Sequence, residues 1–286
     1  MLGVMARVLV RVGSFRDFRP VSSGPCAIPV TTTSRVAIYA CFCNSAREED
    51  EVRAVVEEVA KVVDILIVVN TGSAHLRINP ASATVQVASR ENKGRDLGSY
   101  RFGIDMLSSV EVAELSLLND SVYWLPGAAT AFISAARGTA WDVTGLTESR
   151  QTRRHLQSFA LHIKVPKLAA LEPITAVRDW RWKRMLVAAG EIEFSHKWVR
   201  RGISIGALHT QDSLWQQAVQ SLRASYLSDF DEVQTLVERE VALNPSIHLW
   251  PSLLQQAGVL KKSLLRENPC RFKEPPTTLA EAQSRV

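Results

Sequence analysis

The sequence has few cysteines, and it lacks both a long apolar run and a secretory signal. Four cysteines among 286 residues, with no CxxC or Cys/His spacing, exclude a disulfide scaffold and give no zinc motif. No stretch reaches the roughly 18 consecutive apolar residues that a membrane-spanning helix needs. Arg7 and Arg11 interrupt the amino-terminal stretch where a signal peptide would have its apolar core. We therefore expect a cytoplasmic protein with reduced thiols.

The composition predicts a folded chain with a mild excess of positive charge. A hydrophobic fraction of 46% and a charged fraction of 22% suit a buried core and exclude a wholly disordered chain or a collagen. The net charge of +5 is compatible with an anionic ligand or a membrane surface. The patterning predicts an amino-terminal extension (1–33), a main domain (34–210), a C-terminal helical segment packed on it (211–270) and a flexible tail (271–286).

Short apolar, β-rich segments alternate with helical ones over the first half of the chain. The pattern predicts strands and helices of an α/β domain, with strands at 36–43, 64–69, 84–88 and 114–118 and helices at 44–63 and 97–107. Such a domain has a mostly parallel sheet flanked by helices. Because ligands bind beyond the carboxyl ends of parallel strands, the polar clusters after these strands should meet at one edge. These clusters are NTG (70–72), RENKGRD (90–96) and NDS (119–121).

Two of the clusters contain residue types suited to phosphate chemistry. In ENKGRDLGSY, Gly94 permits close approach of the backbone to a phosphate, and Lys93 or Arg95 offers positive charge. The alternative is a strand-to-helix turn with a solvated rim. Asp120 directly follows a strand, where a carboxylate can bind a divalent cation that bridges a diphosphate. The alternative for Asp120 is a turn or helix cap.

The second half of the chain offers further candidates, each with a structural alternative. Glu191 is a candidate general base that removes the proton of a hydroxyl group. The alternative is that Glu191 and Glu193 lie near a helix start only because the helix dipole favours negative charge there. His155 and His162 are seven residues apart on one face of a predicted helix, and we interpret them as structural histidines. Tryptophan alternates with basic residues at 178–184, but no nucleic-acid motif accompanies them, so we expect no nucleic-acid partner.

Eight segments, taken in order, resemble the rhamnan synthesis protein F family of bacterial glycosyltransferase-like proteins. They are VAIYACFC, DILIVVNTG, RENKGRDLGSYRFGID, LLNDSVYW, DVTGLTES, HLQSFALHIK, EIEFSHKWVRRG and NPSIHLWPSLLQQAGVLKKSLLRENP, which together span roughly residues 35–270. GEIEFSHKWVRRG is also similar to the GED-x-D-L-x-x-R-L-x-x-x-G stretch of inverting family-two glycosyltransferases. In that alignment Glu191 takes the position of the catalytic base and Glu193 that of the following acid.

The resemblance implies a GT-A-like, Rossmann-like fold and a set of site residues. It implies nucleotide-sugar binding by Asn70, Asn92, Lys93, Gly94, Arg95, Asp96, Asn119 and Asp120. It implies acceptor binding by Asp142, Thr147, Glu148, His155 and Gln157, with Glu191 as the catalytic base. Asp120 would also bind Mg²⁺ or Mn²⁺, in a degenerate form of the Asp-x-Asp motif of GT-A enzymes. If that metal site is weak, Lys93, Arg95 or Arg101 would share the charge of the diphosphate.

The implied function is the transfer of a sugar, such as rhamnose or another deoxyhexose, from a nucleotide-sugar donor. The acceptor would be a cell-surface polysaccharide or lipid-linked glycan, and the reaction would invert the anomeric centre. The positive charge would assist peripheral contact with the inner face of the plasma membrane. Two alternatives stay open: a non-catalytic module that binds glycan or scaffolds polysaccharide assembly, and an α/β domain that binds a nucleotide for another purpose.

Overall fold

Four parallel strands form one half of the central sheet in the computed structural model, which describes residues 28–78, 83–108, 111–164, 168–175, 187–239 and 243–286. The strands are β1 (Arg35–Cys41), β2 (Ile65–Asn70), β3 (Thr84–Ser89) and β4 (Glu114–Asn119). They lie in the spatial order β3-β2-β1-β4, so the direction of winding reverses between β1 and β4. The predicted α/β fold with a mostly parallel sheet is confirmed.

Helices cover both faces of this half, because its central strands are apolar on both sides. On β1, Ala37, Tyr39 and Cys41 pack in the core that includes helix α1 (Ala46–Val59). The alternate residues of β1 pack in a second core with helix α2 (Arg95–Asp105). Ser45 caps α1 by accepting a hydrogen bond from the Glu48 amide at 3.3 Å, as its position predicts.

The other half of the sheet is mixed, with β6 (Val143–Ser149), β7 (His155–Leu156), β8 (Ala160–Lys164) and β9 (Ile205–His209). Strand β8 is antiparallel to both β4 and β6, so β6 points in the same direction as β4. The carboxyl end of β6 therefore reaches the same edge of the sheet as those of β1 and β4.

The prediction that His155 and His162 lie on a helix is wrong, because these histidines lie on strands β7 and β8. Strand β8 lies between β4 and β6 in the sheet and is largely buried. Its backbone groups form hydrogen bonds with both neighbouring strands. His162 is fully buried, and its Nδ1 lies 2.9 Å from Ser116 Oγ on β4. The structural interpretation of His162 is thus confirmed on a different element.

The remaining helices surround the sheet. They are α3 (Ala128–Arg137), α4 (Leu168–Thr175), α5 (Glu193–Arg200), α6 (Gln211–Ser221), α7 (Phe230–Glu238), α8 (Pro245–His248), α9 (Trp250–Ala257), α10 (Lys262–Glu267) and α11 (Leu279–Ser284), with a π-helical turn at Val187–Ile192 and a 3₁₀ helix at Arg223–Asp229. Within the described ranges, no helix combines the length and apolar character needed to cross a membrane.

The C-terminal part differs from its prediction in two ways. A strand, β10 (Val259–Lys261), interrupts the helices and pairs antiparallel with β5 (Val122–Trp124) in a small second sheet. Where the sequence predicts a flexible tail, α11 packs against the domain and Ala282 is fully buried. Residues 1–27 of the predicted extension and the tryptophan-rich stretch at 178–184 lie outside the described residues.

Candidate active site at the carboxyl edge of the sheet

A cavity of about 790 Å³ opens at the carboxyl ends of β1 and β4. Cys41 and Phe42 line it at the end of β1, and Asp120 and Ser121 line it just after β4. The winding of the sheet reverses between these two strands, and doubly wound sheets bind their ligands at such a reversal. The position predicted for the polar clusters therefore holds a cavity of ligand size.

The cavity brings together predicted site residues from several separate segments. Those that line it are Asn92, Arg95, Asp96, Asn119, Asp120, His155, Gln157 and Glu191. They come from the loop and helix after β3, the end of β4 and the residue after it, strand β7 and the segment that follows it, and the π-helical turn. The predicted convergence at one edge is confirmed for residues of the RENKGRD and NDS clusters. His155, Gln157 and Glu191 reach the same cavity from segments that the alternation of strands and helices does not cover.

Two carboxyl groups in the cavity are joined through the hydroxyl of Ser158. Ser158 Oγ lies 3.1 Å from Asp96 Oδ2 and is also hydrogen-bonded to Glu191 Oε1. The amide of Ser158 donates to the same Glu191 oxygen at 3.2 Å. A hydroxyl has one proton to donate, so bonding to both carboxyl groups at once requires one of them to be protonated.

Asp96 is the carboxyl group of this pair that favours the proton. Burial raises its pKa first of all, and the negative charge of Glu191 raises it further. Asn119 Nδ2 donates to Asp96 Oδ2 at 2.8 Å, which holds the carboxyl group in place. A neutral Asp96 can donate to Ser158, leaving the serine proton for Glu191. The Glu191 carboxyl group thus accepts from both the amide and the hydroxyl of Ser158, which fixes its position in the cavity where a general base could act.

Local backbone geometry places both carboxyl groups. Gly94 precedes α2 with φ of 71°, a left-handed conformation that favours glycine, and Asp96 follows in the first turn of the helix. Glu191 lies in the π-helical turn directly before α5. Single π-helical turns of this kind occur frequently at functional sites. Glu193 instead lies 3.4 Å from Arg200 in an exposed ion pair and does not line the cavity.

Asp120 is held by the backbone of the first strand. Its Oδ2 accepts a hydrogen bond from the Phe42 amide at 2.7 Å, and burial raises its pKa. The neighbouring Asn119 Oδ1 already accepts from the amide and hydroxyl of Ser121, at 2.9 and 2.6 Å. Among the described residues, no group of three His, Cys, Asp or Glu side chains is placed to hold a metal. Mg²⁺ and Mn²⁺ prefer several oxygen ligands, so the single carboxylate of Asp120 and the already hydrogen-bonded amide oxygen of Asn119 fit them poorly.

Three predicted donor-binding residues lie outside the cavity lining. Asn70 accepts from the amides of Cys43 and Gly72 at 3.0 and 2.9 Å, which ties together the loops after β1 and β2. Lys93 is paired with Glu91 at the exposed rim. Gly94 acts through its backbone by starting α2. Arg95 is therefore the cavity-lining member of the cations predicted in this loop.

The predicted acceptor residues divide between the two edges of the sheet. Asp142 precedes β6 and accepts from the amide and hydroxyl of Ser204 at 2.8 and 2.6 Å. Glu148 lies near the other end of the strand, about 20 Å away at ~3.3 Å per residue. Its carboxylate pairs with Arg154 at 2.8 Å, and Thr147 beside it is fully buried. Because a strand spans the sheet, the DVTGLTES segment cannot present both acids to one acceptor.

His155 and Gln157 do line the cavity, and Gln157 has an unused polar atom. Gln157 Nε2 donates to Asn244 Oδ1 at 2.9 Å and to Ser246 Oγ at 3.2 Å, which fixes the orientation of the amide. Gln157 is 7% exposed, and its buried Oε1 has no hydrogen-bond partner among the described residues. Buried acceptors of this kind are normally satisfied by a protein group, an ordered water or a ligand.

Sequence reasoning missed several cavity-lining residues, and four of them matter most for the chemistry of the site. They are Ser158, Lys261, Lys262 and Arg266. Ser158 lies within a segment that the resemblance includes, but its link between two acids depends on the fold. The two lysines come from the three-residue strand β10 and the start of α10. The adjacent lysines were the available signal, and nothing in the sequence connects them to the NDS cluster 140 residues away.

Comparisons with known proteins give distant structural likenesses. No family model matches the chain, and no curated protein matches it. A protein described as a nucleotide-diphospho-sugar transferase from Desulfovibrio desulfuricans G20 is 12% identical, with a TM-score of 0.37 over 73% of this chain and 98% of that one. The inositol-1-phosphate CTP transferase from T. maritima is also 12% identical, with a TM-score of 0.35 over 61% of this chain and 85% of that one. Likenesses at this level assign no substrate to the chain.

Proposed function

We propose that this chain is a glycosyltransferase that takes its sugar from a nucleoside-diphosphate sugar. The observation that carries the proposal is the linked pair of Asp96 and Glu191, inside a cavity at the reversal point of a doubly wound sheet. The resemblance of eight ordered segments to the rhamnan synthesis protein F family supports the same class of reaction. Fold alone does not determine function, so the proposal rests on these side chains.

Glu191 is the proposed base in a single displacement. It removes the proton of an acceptor hydroxyl as that oxygen attacks the anomeric carbon of the donor sugar. The bond from the anomeric carbon to the phosphate oxygen breaks, and its electron pair leaves with the nucleoside diphosphate. One in-line displacement inverts the anomeric centre. Base catalysis of this kind contributes about 10²–10⁴-fold to the rate.

Gln157 is a proposed ligand of a sugar hydroxyl. Its unpartnered Oε1 would accept a hydrogen bond from a hydroxyl donor, while Asn244 and Ser246 hold its amide nitrogen. His155 lies beside it on the same wall. The resemblance supports a deoxyhexose such as rhamnose as the sugar and a cell-surface polysaccharide or lipid-linked glycan as the acceptor. The net positive charge supports peripheral contact with an anionic membrane.

Calorimetric titration tests the proposal first. The purified protein is titrated with dTDP, UDP and GDP, each with manganese and with EDTA. We expect saturable binding of one nucleotide, which would identify the base of the donor. Turnover with the matching nucleotide sugars then follows, on the wild type and on Glu191→Gln. Absence of binding for all three nucleotides under both conditions would overturn the proposal.

A non-catalytic glycan-binding module is the second candidate. Asp120 is the single acid of its motif, and the donors around it fit a divalent cation poorly. A non-catalytic module with a transferase-like fold would retain Gln157 as a sugar ligand and would bind oligosaccharide without consuming nucleotide sugar. Glycan binding that survives Glu191→Gln unchanged, together with no turnover in the wild type, would favour this candidate.

A further inference from the structure

Three basic side chains from the C-terminal part line the cavity beside the end of β4. Lys261, Lys262 and Arg266 are here called the C-terminal cations. Strand β10 pairs antiparallel with β5, with Leu260 opposite Tyr123 and Lys261 opposite Val122. Because β5 begins directly after Ser121, this register carries the cations to the polar cluster that follows β4.

Lys261 is fixed within the cavity by two residues that lie next to strands of the central sheet. Its Nζ donates to Ser121 Oγ at 2.8 Å, just after β4. The same Nζ lies 5.1 Å from the centroid of the Phe159 ring, which precedes β8 and also lines the cavity. A cation over an aromatic face at this distance is attracted by the ring. The ammonium is thereby held in an ordered position at the cavity wall.

Lys262 and Arg266 extend the positive charge along the same wall. The Lys262 amide donates to the Ser121 carbonyl at 3.0 Å, and its Nζ pairs with Glu51 at 2.9 Å. Its side chain is only 12% exposed, so the charge lies in a largely desolvated position. Arg266 is more open, with its guanidinium 4.0 Å from Glu48. An exposed pair at this separation contributes little to stability, which leaves the guanidinium adaptable.

Two acids beside this wall already accept hydrogen bonds from backbone amides. Asp120 accepts from the Phe42 amide, and Glu48 accepts from the Asn44 amide at 2.8 Å. A divalent cation would have to compete with these donors and with the nearby ammonium groups. An anionic ligand instead meets Lys261, Lys262 and Arg266 on one side. The chemistry of the wall therefore suits a polyanion better than a metal ion.

We propose that the C-terminal cations hold the diphosphate of the donor, in the role that a divalent cation fills in Asp-x-Asp enzymes. This inference rests on the proposed function, because it names the groups that bind the leaving nucleoside diphosphate. Negative charge grows on the diphosphate as its bond to the sugar breaks, and preorganised cations stabilise that charge. Arg266 can bind two phosphate oxygens at once, whereas each lysine acts as a point charge. Arg95 lines the same cavity and adds to the positive charge.

Calorimetry on the full chain in EDTA tests the inference with two kinds of probe. Inorganic pyrophosphate tests the anion site alone, and dTDP, UDP and GDP test the nucleotide. Lys261→Met, Lys262→Met and Arg266→Met remove charge while keeping an apolar stem. Charge-assisted hydrogen bonds contribute ~1.5–3 kcal/mol, so each variant should weaken pyrophosphate binding about 10- to 100-fold. Lys61→Met and Arg239→Met, at exposed positions outside the cavity lining, are the matched controls and should not change it.

Two further measurements keep the test decisive if a variant folds poorly. Circular dichroism melts show whether each variant is folded at the titration temperature. On the wild type alone, raising sodium chloride from about 50 mM to about 500 mM should weaken pyrophosphate binding by about tenfold or more, because salt screens accessible charges. Binding that is insensitive to salt would count against the cations independently of any substitution.

The outcomes separate this inference from the proposed function. Metal-free binding of pyrophosphate and of one nucleotide, both weakened by the three substitutions, supports both. Nucleotide binding that requires manganese and is unaffected by the substitutions overturns the inference and leaves the proposed function standing. Pyrophosphate binding through these cations without binding of any nucleotide leaves the anion site standing and overturns the nucleotide assignment. Absence of binding by either kind of probe overturns both.

Discussion

The two edges of the central sheet hold their charged side chains in different ways. At the amino edge, where β1, β2 and β4 begin, acids are matched with bases. Arg35 pairs with Asp64 at 2.7 Å, and Arg137 Nε donates to Glu114 at 2.8 Å. At the carboxyl edge, Asp96 is joined to a second acid, Glu191, through a serine.

The pKa directions at the two edges are opposite. Hydrogen bonding from Arg35 lowers the pKa of Asp64, so ionisation of this acid favours the folded state. Burial raises the pKa of both Asp96 and Asp120, so their ionisation is disfavoured by folding. Ionised acids at the amino edge thus stabilise the folded state, whereas ionisation of Asp96 and Asp120 at the carboxyl edge destabilises it. Such costs are characteristic of functional sites.

The largest expected effect is on turnover, and it should be confined to the carboxyl edge. Glu191→Gln removes the proposed base and should lower kcat by about 10²–10⁴-fold, with nucleotide binding nearly unchanged. Glu114→Gln, an equivalent substitution at the amino edge, is the control and should retain activity. Steady-state kinetics with the nucleotide sugar identified by titration check both variants. Equal losses in the two variants would break the contrast between the edges.

The next effect is on stability, and it should be confined to the amino edge. Glu114 is 12% exposed and binds Arg137 through both carboxylate oxygens. Glu114→Ala removes the carboxylate partner of that guanidinium, which keeps its hydrogen bond to the Val62 carbonyl. The substitution should lower the free energy of unfolding by ~1.5–3 kcal/mol, the range for hydrogen bonds to charged groups. Urea unfolding followed by circular dichroism measures the change. A loss below ~0.5 kcal/mol would show that the pair is solvated.

Removing a charge from the carboxyl edge should have the reverse effect on stability. Asp96→Asn keeps an oxygen that can accept from Asn119 and abolishes the buried acid. We expect a gain in unfolding free energy on the order of 1 kcal/mol near neutral pH, the size common for stabilising substitutions, together with lower activity. Urea unfolding at pH 7 measures the gain.

The pH dependence of the Asp96→Asn effect provides its control. The folded pKa of Asp96 is raised, so its favourable protonated state is fully present below the unfolded pKa and is lost as pH rises through the folded value. The gain from Asp96→Asn should therefore grow with rising pH and vanish in acid. A gain that is constant with pH would trace to packing instead of charge.

The smallest expected effect is at the exposed pair of the amino edge. The Asp64 side chain is 44% exposed, so Asp64→Asn should cost less than about 1 kcal/mol at neutral pH. Its folded pKa is lowered, so its contribution is present above the unfolded pKa and is lost as pH falls through the folded value. Acid titration of the unfolding free energy should show the wild type and the variant converging at low pH, the reverse of the trend for Asp96.

The parallel half of the sheet could be predicted from the sequence because its signals are local. Residues 36–43 and 65–69 are continuous apolar runs, and the structure places β1 and β2 there. Polar clusters at the carboxyl ends of parallel strands lie at the same edge of the sheet, independently of how the rest of the chain folds. Asp96, Asp120 and Asn119 were found for this reason.

The rest of the site depends on contacts that leave little local trace. Strands β5 and β10 have three residues each, too few for a periodic pattern, so the approach of Lys261 to Ser121 could not be predicted. The direction of β6 could not be predicted from the sequence either. The placement of Asp142 at the edge opposite the cavity depends on that direction. Seven-residue spacing suggested a helix for His155 and His162, whereas pairing with β4 and β6 makes the second of them part of a strand.

The pairing of β5 with β10 has a consequence for synthesis of the protein. Domains generally fold in order from the amino terminus as the chain leaves the ribosome. Helix α2 and strand β4, which position Asp96 and Asp120, emerge early, whereas Lys261 follows Ser121 by 140 residues. A nascent chain stalled before Val259 therefore has the acids of the site without the lysines that accompany them. The cavity acquires these lysines only after the segment from Val259 onward has been translated.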